Sequence, residues 1–186
     1  FITLSHDGQF LIWELNFTDV KDKKTARLED TDFSKISWKA LICIQVFKND
    51  NKILYANNMT LCPTHLSSKL YFTTEEGCLN EMDYDIETNF NKDINRLEII
   101  KRTWTPFDES NPIDLDASIF IKGLILVVNE ANFCLYVDDH PNPVFVSTFS
   151  TSARFTCGRF SNRRPSVVFI GRNDGALDIW DFCDQT

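Results

Sequence analysis

Glycine is scarce, with six in 186 residues, and none stands in a Gly-x-x-x-x-Gly-Lys phosphate-cradling pattern. No Gly-x-Ser-x-Gly nucleophile elbow occurs either. The three histidines, His6, His65 and His140, have no spacing typical of metal ligands and lie at or near expected turns. These gaps leave no catalytic centre, no metal site and no cofactor or small-molecule substrate site to assign, so the chain reads as a non-enzyme. No apolar run approaches the roughly 18 residues of a membrane-spanning helix. The six cysteines (Cys43, Cys62, Cys78, Cys134, Cys157 and Cys183) form no Cys-x-x-Cys pair, the usage of buried thiols in a reducing compartment rather than of a disulfide framework. Positive charge is short too. Nineteen Lys and Arg against 27 Asp and Glu give a net charge of -8, which argues against general nucleic-acid or anionic-membrane binding. The chain begins at Phe1 inside an apolar stretch, with neither initiator Met nor signal peptide, and is expected to be a piece of a longer protein. On that reading the acceptor patterns at Asn16 and Asn58 are coincidental.

What the chain does have is apolar and aromatic residues in alternating runs: 43% are hydrophobic and 16 are Phe, enough to fold. "SVVFIGRNDGALDIWDF" (residues 166–182) is one such run, broken at Arg172-Asn173-Asp174-Gly175 and resumed at once. Asn and Gly tolerate positive φ, so this is a β-hairpin. "FITLSHDGQFLIWEL" at residues 1–15 follows the same plan, with Asp7-Gly8 at the turn and Trp13-Glu14 after it. In both copies Trp stands five residues after the Gly. Two further copies turn at Glu76-Gly77 and Glu130-Ala131, with Met82 and Tyr136 in the Trp position. Turn positions 8, 77, 131 and 175 are 69, 54 and 44 residues apart. The last interval matches the roughly 40–45 residues of a four-stranded propeller blade; the others need insertions.

Two further apolar stretches precede each later hairpin, and no segment reads as a capped helix. The fold class is therefore all-β: a β-propeller segment of about three and a half four-stranded blades belonging to a larger propeller. The half blade is 1–15, and the full units are 36–85, 96–139 and 143–184. Segments 16–35 and 86–95 are charged, polar inserted loops.

Asp7, Gly8 and Trp13, with Asp174, Gly175, Trp180 and Asp181, resemble the structural signature of the WD-repeat family; Glu76 and Gly77 occupy the same turn in a weaker copy. The Gly-His pair usual early in such repeats is absent. The C-terminal repeat narrows the resemblance. Cys157, Phe160, Ser161, Arg164, Pro165, Val168, Phe169, Asp174, Gly175, Trp180, Asp181 and Asp184 match a run found in dynein intermediate chains. Within that family the likeness is to the axonemal inner-arm intermediate chain of the two-headed dynein. The resemblance implies a non-catalytic subunit that binds the dynein heavy-chain tail, with a second intermediate chain and light chains in the same complex. It also implies cytoplasm and cytoskeleton as the location, with the axoneme of a cilium or flagellum as the working site. Other WD-repeat adaptors stay open as the alternative: a cytoplasmic dynein intermediate chain, a ligase substrate receptor or a trafficking scaffold.

Arg163 and Arg164 admit two readings. They could grip an acidic patch on a partner, or line a loop while Pro165 opens a strand. Trp13 and Trp180 are expected in the core. An open row of blades would expose two sheet edges, so the isolated fragment is expected to be poorly behaved.

Overall fold

A computed structural model of the chain describes residues 1–17, 36–46, 54–63, 68–84, 100–106 and 111–184. The expected loops at 18–35 and 86–95 lie outside these residues; Asn16 and Phe17 extend a strand.

Fourteen strands are present among the described residues, in four antiparallel sheets. The first sheet is β1 (Ile2–Leu4), β2 (Gln9–Phe17) and β3 (Ile36–Gln45). The second runs β4 (Ala56–Leu61), β5 (Lys69–Thr74), β6 (Leu79–Asp83) and β7 (Ile100–Trp104). The third holds β8 (Pro112–Ala117), β9 (Leu124–Asn129), β10 (Phe133–Val137) and β11 (Phe145–Val146). The fourth holds β12 (Phe155–Phe160), β13 (Val167–Arg172) and β14 (Leu177–Asp181). All four hairpins legible in the sequence are present, as β1–β2, β5–β6, β9–β10 and β13–β14.

The grouping of strands differs from the spacing-based one by a single strand. The spacing places Ile36–Gln45 in the second unit, yet it pairs with β2 from Gln9↔Gln45 to Phe17↔Ile36 and is the third strand of the first sheet. Likewise β7 pairs with β6 and β11 with β10. The sheets are therefore three, four, four and three strands, in place of a half blade followed by three full units. The reason is local. The strand after a hairpin meets the free edge of that hairpin first, and only the next connection carries the chain to a new sheet. In sequence both strands look alike, because both are short and apolar.

Alternation builds the cores between sheets. On β5, Leu70 and Phe72 face the first sheet and join Phe10, Ile12 and Met82; Tyr71 faces the third. On β9, Ile125 and Val127 face the second sheet, while Leu126 and Val128 face the fourth. A middle sheet is thus apolar on both sides, and three separate cores lie in a row between four sheets. Among the first strands, β8 packs against β4 on one side and against β12 on the other. This is the converging arrangement of propeller blades, each sheet fanning outward from its first strand.

Each of those inner strands carries a bulge at its second residue: between Ala56 and Asn58, Pro112 and Asp114, and Phe155 and Cys157. A bulge adds bend and twist to the strand that holds it, and here it recurs at one place per sheet.

Candidate interaction surfaces

The hairpin turns form one rim. Gly8, Gly77 and Gly175 take φ of 76°, 81° and 86°, which accounts for glycine at those turns. The preceding Asp has a definite task in two copies. Asp7 Oδ1 accepts the Gln9 N–H and Asp174 Oδ1 accepts the Ala176 N–H at 3.2 Å, each an Asx-type closure of the turn. Asp174 is held below its ordinary value by that N–H and then by Arg172 at 2.6 Å, and Asp7 by the Ser5 hydroxyl and the Gln9 N–H. The third turn has no Gly. Buried Asn129 and Asn132 close it through a side-chain amide pair, Asn129 Nδ2 donating to Asn132 Oδ1 at 2.7 Å.

At this rim a pair of backbone bonds recurs, one joining adjacent sheets and the other tying the entry to a sheet's first strand to that sheet's own hairpin turn. Ala56 N–H donates to His6 O at 3.1 Å, and Glu75 N–H donates to Tyr55 O at 3.1 Å. Two sheets on, Phe155 N–H donates to Glu130 O at 2.8 Å and Asn173 N–H to Arg154 O at 2.9 Å. A side-chain contact accompanies each: His6 Nε2 is hydrogen-bonded to Glu75 Oε1, and Arg154 pairs with Glu130. Glu76 is exposed beside this rim.

The residues five after each turn share one face of their sheets, the side toward the preceding sheet. Met82 is buried in the first core, Tyr136 in the second, and Trp180 packs on the third. Trp180 meets Phe133 edge-on at 5.1 Å and Phe145 at 6.1 Å between ring centroids. Trp13 points away from the second sheet, half-buried, its indole N–H donating to Thr3 Oγ1 at 2.9 Å. Core packing thus holds for Trp180, while Trp13 faces outward with Trp38 and Phe1 exposed near it. After Trp180, Asp181 Oδ1 accepts from the Ser166 hydroxyl at 2.6 Å and the Cys183 N–H at 3.1 Å; these hold its carboxyl below the ordinary range.

Arg163 and Arg164 lie on the loop between β12 and β13, both exposed, their N–H groups tied to Ser161 Oγ. Arg164 stands 3.8 Å from Asp181 Oδ2, a weak exposed pair. Pro165 begins the turn before β13 rather than the strand itself.

Sequence reasoning missed a polar cleft of about 360 Å³ between the second and third sheets, at the end opposite the hairpin turns. Its floor is a buried charge network. Lys69 Nζ lies 2.5 Å from Glu81 Oε1 and 3.5 Å from Asp138 Oδ2, and Tyr71 donates its hydroxyl to Asp138 Oδ1 at 2.7 Å. Burial disfavours the Lys69 charge, yet Glu81 and then Asp138 outweigh it and raise its pKa. Burial, and then the Asp138 hydrogen bond, push the Tyr71 hydroxyl far up. Trp104, buried in the core between the same two sheets, donates its indole N–H to His140 O at 2.8 Å. The available signal was Glu81 two residues after Leu79, where alternation along β6 calls for a second apolar side chain.

A second missed set joins the third and fourth sheets. Asp114 and Asp116 of β8 reach the inner strand β12: Gly158 N–H and the Arg159 guanidinium donate to Asp114 Oδ2 at 3.0 and 2.6 Å, and Phe160 N–H to Asp116 Oδ2 at 2.8 Å. Two carboxylates one residue apart in "PIDLDAS" were its trace in the sequence.

Among the described residues no group of three or more His, Cys, Asp or Glu is placed to hold a metal ion. Nor, among the described residues, is any helix long and apolar enough to cross a membrane.

Comparison with known proteins agrees with this architecture. Residues 23–186 match the family model described as the dynein axonemal intermediate chain 3 WD40 domain. Dynein axonemal intermediate chain 3 of Danio rerio is 32% identical over 128 residues, covering 66% of this chain and 12% of that protein. The Mus musculus protein of the same name is 30% identical over 121 residues, covering 64% of this chain and 13% of its own length. The Homo sapiens protein is 28% identical over 120 residues, with 64% and 13% covered. The chain thus aligns with only 12 or 13% of the length of each of these relatives. With four outward-fanning antiparallel sheets and a family match across most of its length, the chain belongs to the WD40-domain family of dynein axonemal intermediate chain 3.

Proposed function

We infer that this chain is the propeller portion of a non-catalytic scaffold subunit of an axonemal dynein complex. The observation that carries the reading is the family match over residues 23–186. On this reading the propeller binds the tail of a dynein heavy chain, beside a second intermediate chain and light chains. It supports inner-arm assembly and hence ciliary or flagellar motility. On the same reading its location is the cytoplasm and cytoskeleton, with the axoneme of a cilium or flagellum as the working site.

The geometry suits such a role. Three apolar cores and paired backbone stitches make a stiff row of sheets, and stiffness keeps the ordering cost of binding low. Asp7, Gly8, Glu76, Gly77, Asp174 and Gly175 hold the turns of that scaffold, and Trp13, Trp180 and Asp181 follow them along the strands. Arg163 and Arg164 project from it and are the contacts proposed for an acidic patch on the partner.

The test is cross-linking mass spectrometry on the full-length protein isolated from ciliated cells. Cross-links from residues 1–184 to a heavy-chain tail are expected. Recovery of ligase or coat subunits without any heavy chain would overturn the reading in favour of another WD-repeat adaptor.

A further inference from the structure

We propose that the cleft between the second and third sheets, together with the loop between β8 and β9, is a docking site for an acidic segment of a partner protein that also carries apolar side chains.

The apolar half of the site is the loop itself. Ile119, Phe120 and Ile121 are consecutive and each close to half exposed, at 48%, 46% and 46%. Single exposed apolar residues need no explanation, but three in a row on one loop mark a contact surface. The loop is also fixed in shape. Buried Ser118 accepts the N–H groups of Phe120 and Ile121 on its Oγ at 3.2 and 3.1 Å. Ser118 N–H donates to Leu124 O, and Leu124 N–H to Ile121 O. Gly123 closes the loop at φ +73°, where an added Cβ would lie 2.6 Å from the Asp138 carboxyl. The backbone therefore presents its apolar residues in one arrangement.

The charged half begins at the next residue. Lys122 lines the cleft with Lys101 and Arg102 of β7. β7 bulges there: Glu81 pairs with Arg102 and Met82 with Ile100, leaving Lys101 unopposed. Two successive cations are thus exposed on one strand. Arg102 is seated over the Trp104 ring at 5.4 Å. Among the described residues none of these three cations makes an ion pair, whereas Lys69 is committed to Glu81 and Asp138 below them. Among the described lining residues Asp139 is the one exposed carboxylate beside them. In a chain of net charge -8, this is a local inversion of sign.

Charge complementarity decides the occupant. A basic segment would meet three cations that make no ion pair, against the single exposed carboxylate of Asp139, and a purely apolar one would leave them unused. The site is concave and lies between two sheets, which fits a peptide better than the flat surface of a bilayer. The proposal does not depend on which complex the chain joins.

The test is fluorescence anisotropy with the full chain and a labelled synthetic peptide in which Glu alternates with Leu and Phe. Binding that weakens with salt is expected, with roughly a tenfold loss in Lys101→Glu/Lys122→Glu and in Phe120→Ser. A peptide with Gln for every Glu should bind as weakly as the parent peptide does to the charge-reversed variant. A peptide with Lys for every Glu should recover affinity for Lys101→Glu/Lys122→Glu, which a merely unfolded variant would not do. The proposal falls if the Glu peptide fails to bind, or binds with an affinity these changes leave untouched. It falls equally if phosphatidylserine vesicles bind the chain and the peptide does not.

Discussion

Asp116 Oδ2 accepts the backbone N–H of Phe160 at 2.8 Å, so a carboxylate from one inner strand completes the hydrogen bonding of the next. Burial raises the Asp116 carboxyl above its ordinary 3.8, against the opposing pull of the Phe160 N–H and Arg159. The folded chain therefore holds this proton more tightly than the unfolded one. The associated stability is complete below the ordinary value and is lost as pH rises through the raised one. Asp116→Asn keeps an acceptor and removes the buried charge, so at neutral pH it should be at least as stable as the parent. Asp116→Ala leaves the N–H unanswered and should cost about 1–3 kcal/mol. Urea unfolding from acidic to neutral pH separates the two, and an Asn variant as damaged as the Ala variant would refute the account.

Gly158 sits where β12 approaches the third sheet. A Cβ there would lie 2.5 Å from Val128 Cγ2 and 2.9 Å from Ile170 Cδ1. Gly158→Ala should destabilise by about 1–3 kcal/mol through overpacking. Trimming the neighbour with Val128→Ala should recover part of the loss, so the double variant is expected to be more stable than the sum of the two changes. Additive losses in chemical denaturation would show that the two sites do not share the space.

Lys69 neutralises Glu81, whose side chain is only 6% exposed. Lys69→Met should therefore cost about 3–5 kcal/mol, because it strands a buried charge. Lys69→Met/Glu81→Leu should return most of it. Thermal melts of the three variants give the answer, and a single variant as stable as the parent would mean that Glu81 finds other compensation.

Trp180 and Ile179 are neighbours with opposite fates. Trp180 lies among Phe133 and Phe145, and Trp180→Ala should cost about 3 kcal/mol. Ile179 is 64% exposed on the outer face of the fourth sheet, with Leu177 beside it at 59%. Ile179→Ser should change stability by about 0.5 kcal/mol or less in this chain. In a longer chain whose next blade covers that face, the same change should become costly. Measuring Ile179→Ser in both contexts reports whether a blade packs there.

The turns were readable because their chemistry is local: Asp7 and Asp174 answer N–H groups two residues away, and Gly8 and Gly175 take the backbone angles the turn demands. The strands were readable because Leu70, Tyr71 and Phe72 alternate between two cores. Strand pairing was less so. Nothing within Ile36–Gln45 says whether its partner lies before or after it in the chain, and that choice set the sheet boundaries. The cleft was hidden for the same reason. Lys69, Glu81, Lys101, Lys122 and Asp138 come from five separate segments, and only the packing of two sheets brings them together. The apolar triplet at 119–121 is visible in the sequence, but its exposure is not, since exposure is not written in residue type.

The single-strand offset between sequence repeat and sheet bears on how such a chain can be inherited and rebuilt. One repeat contributes the outer strand of one sheet and the inner three of the next. Delete residues from β3 through β6 as a block, and β2 is followed in the chain by β7, a strand of the same kind as the one removed. The first sheet can then close with a substitute edge. Gain or loss of whole repeats therefore leaves no orphaned half, even though no cut ever falls between complete sheets. A truncation meant to isolate intact sheets must instead be placed one strand later than the Trp-Asp boundary suggests.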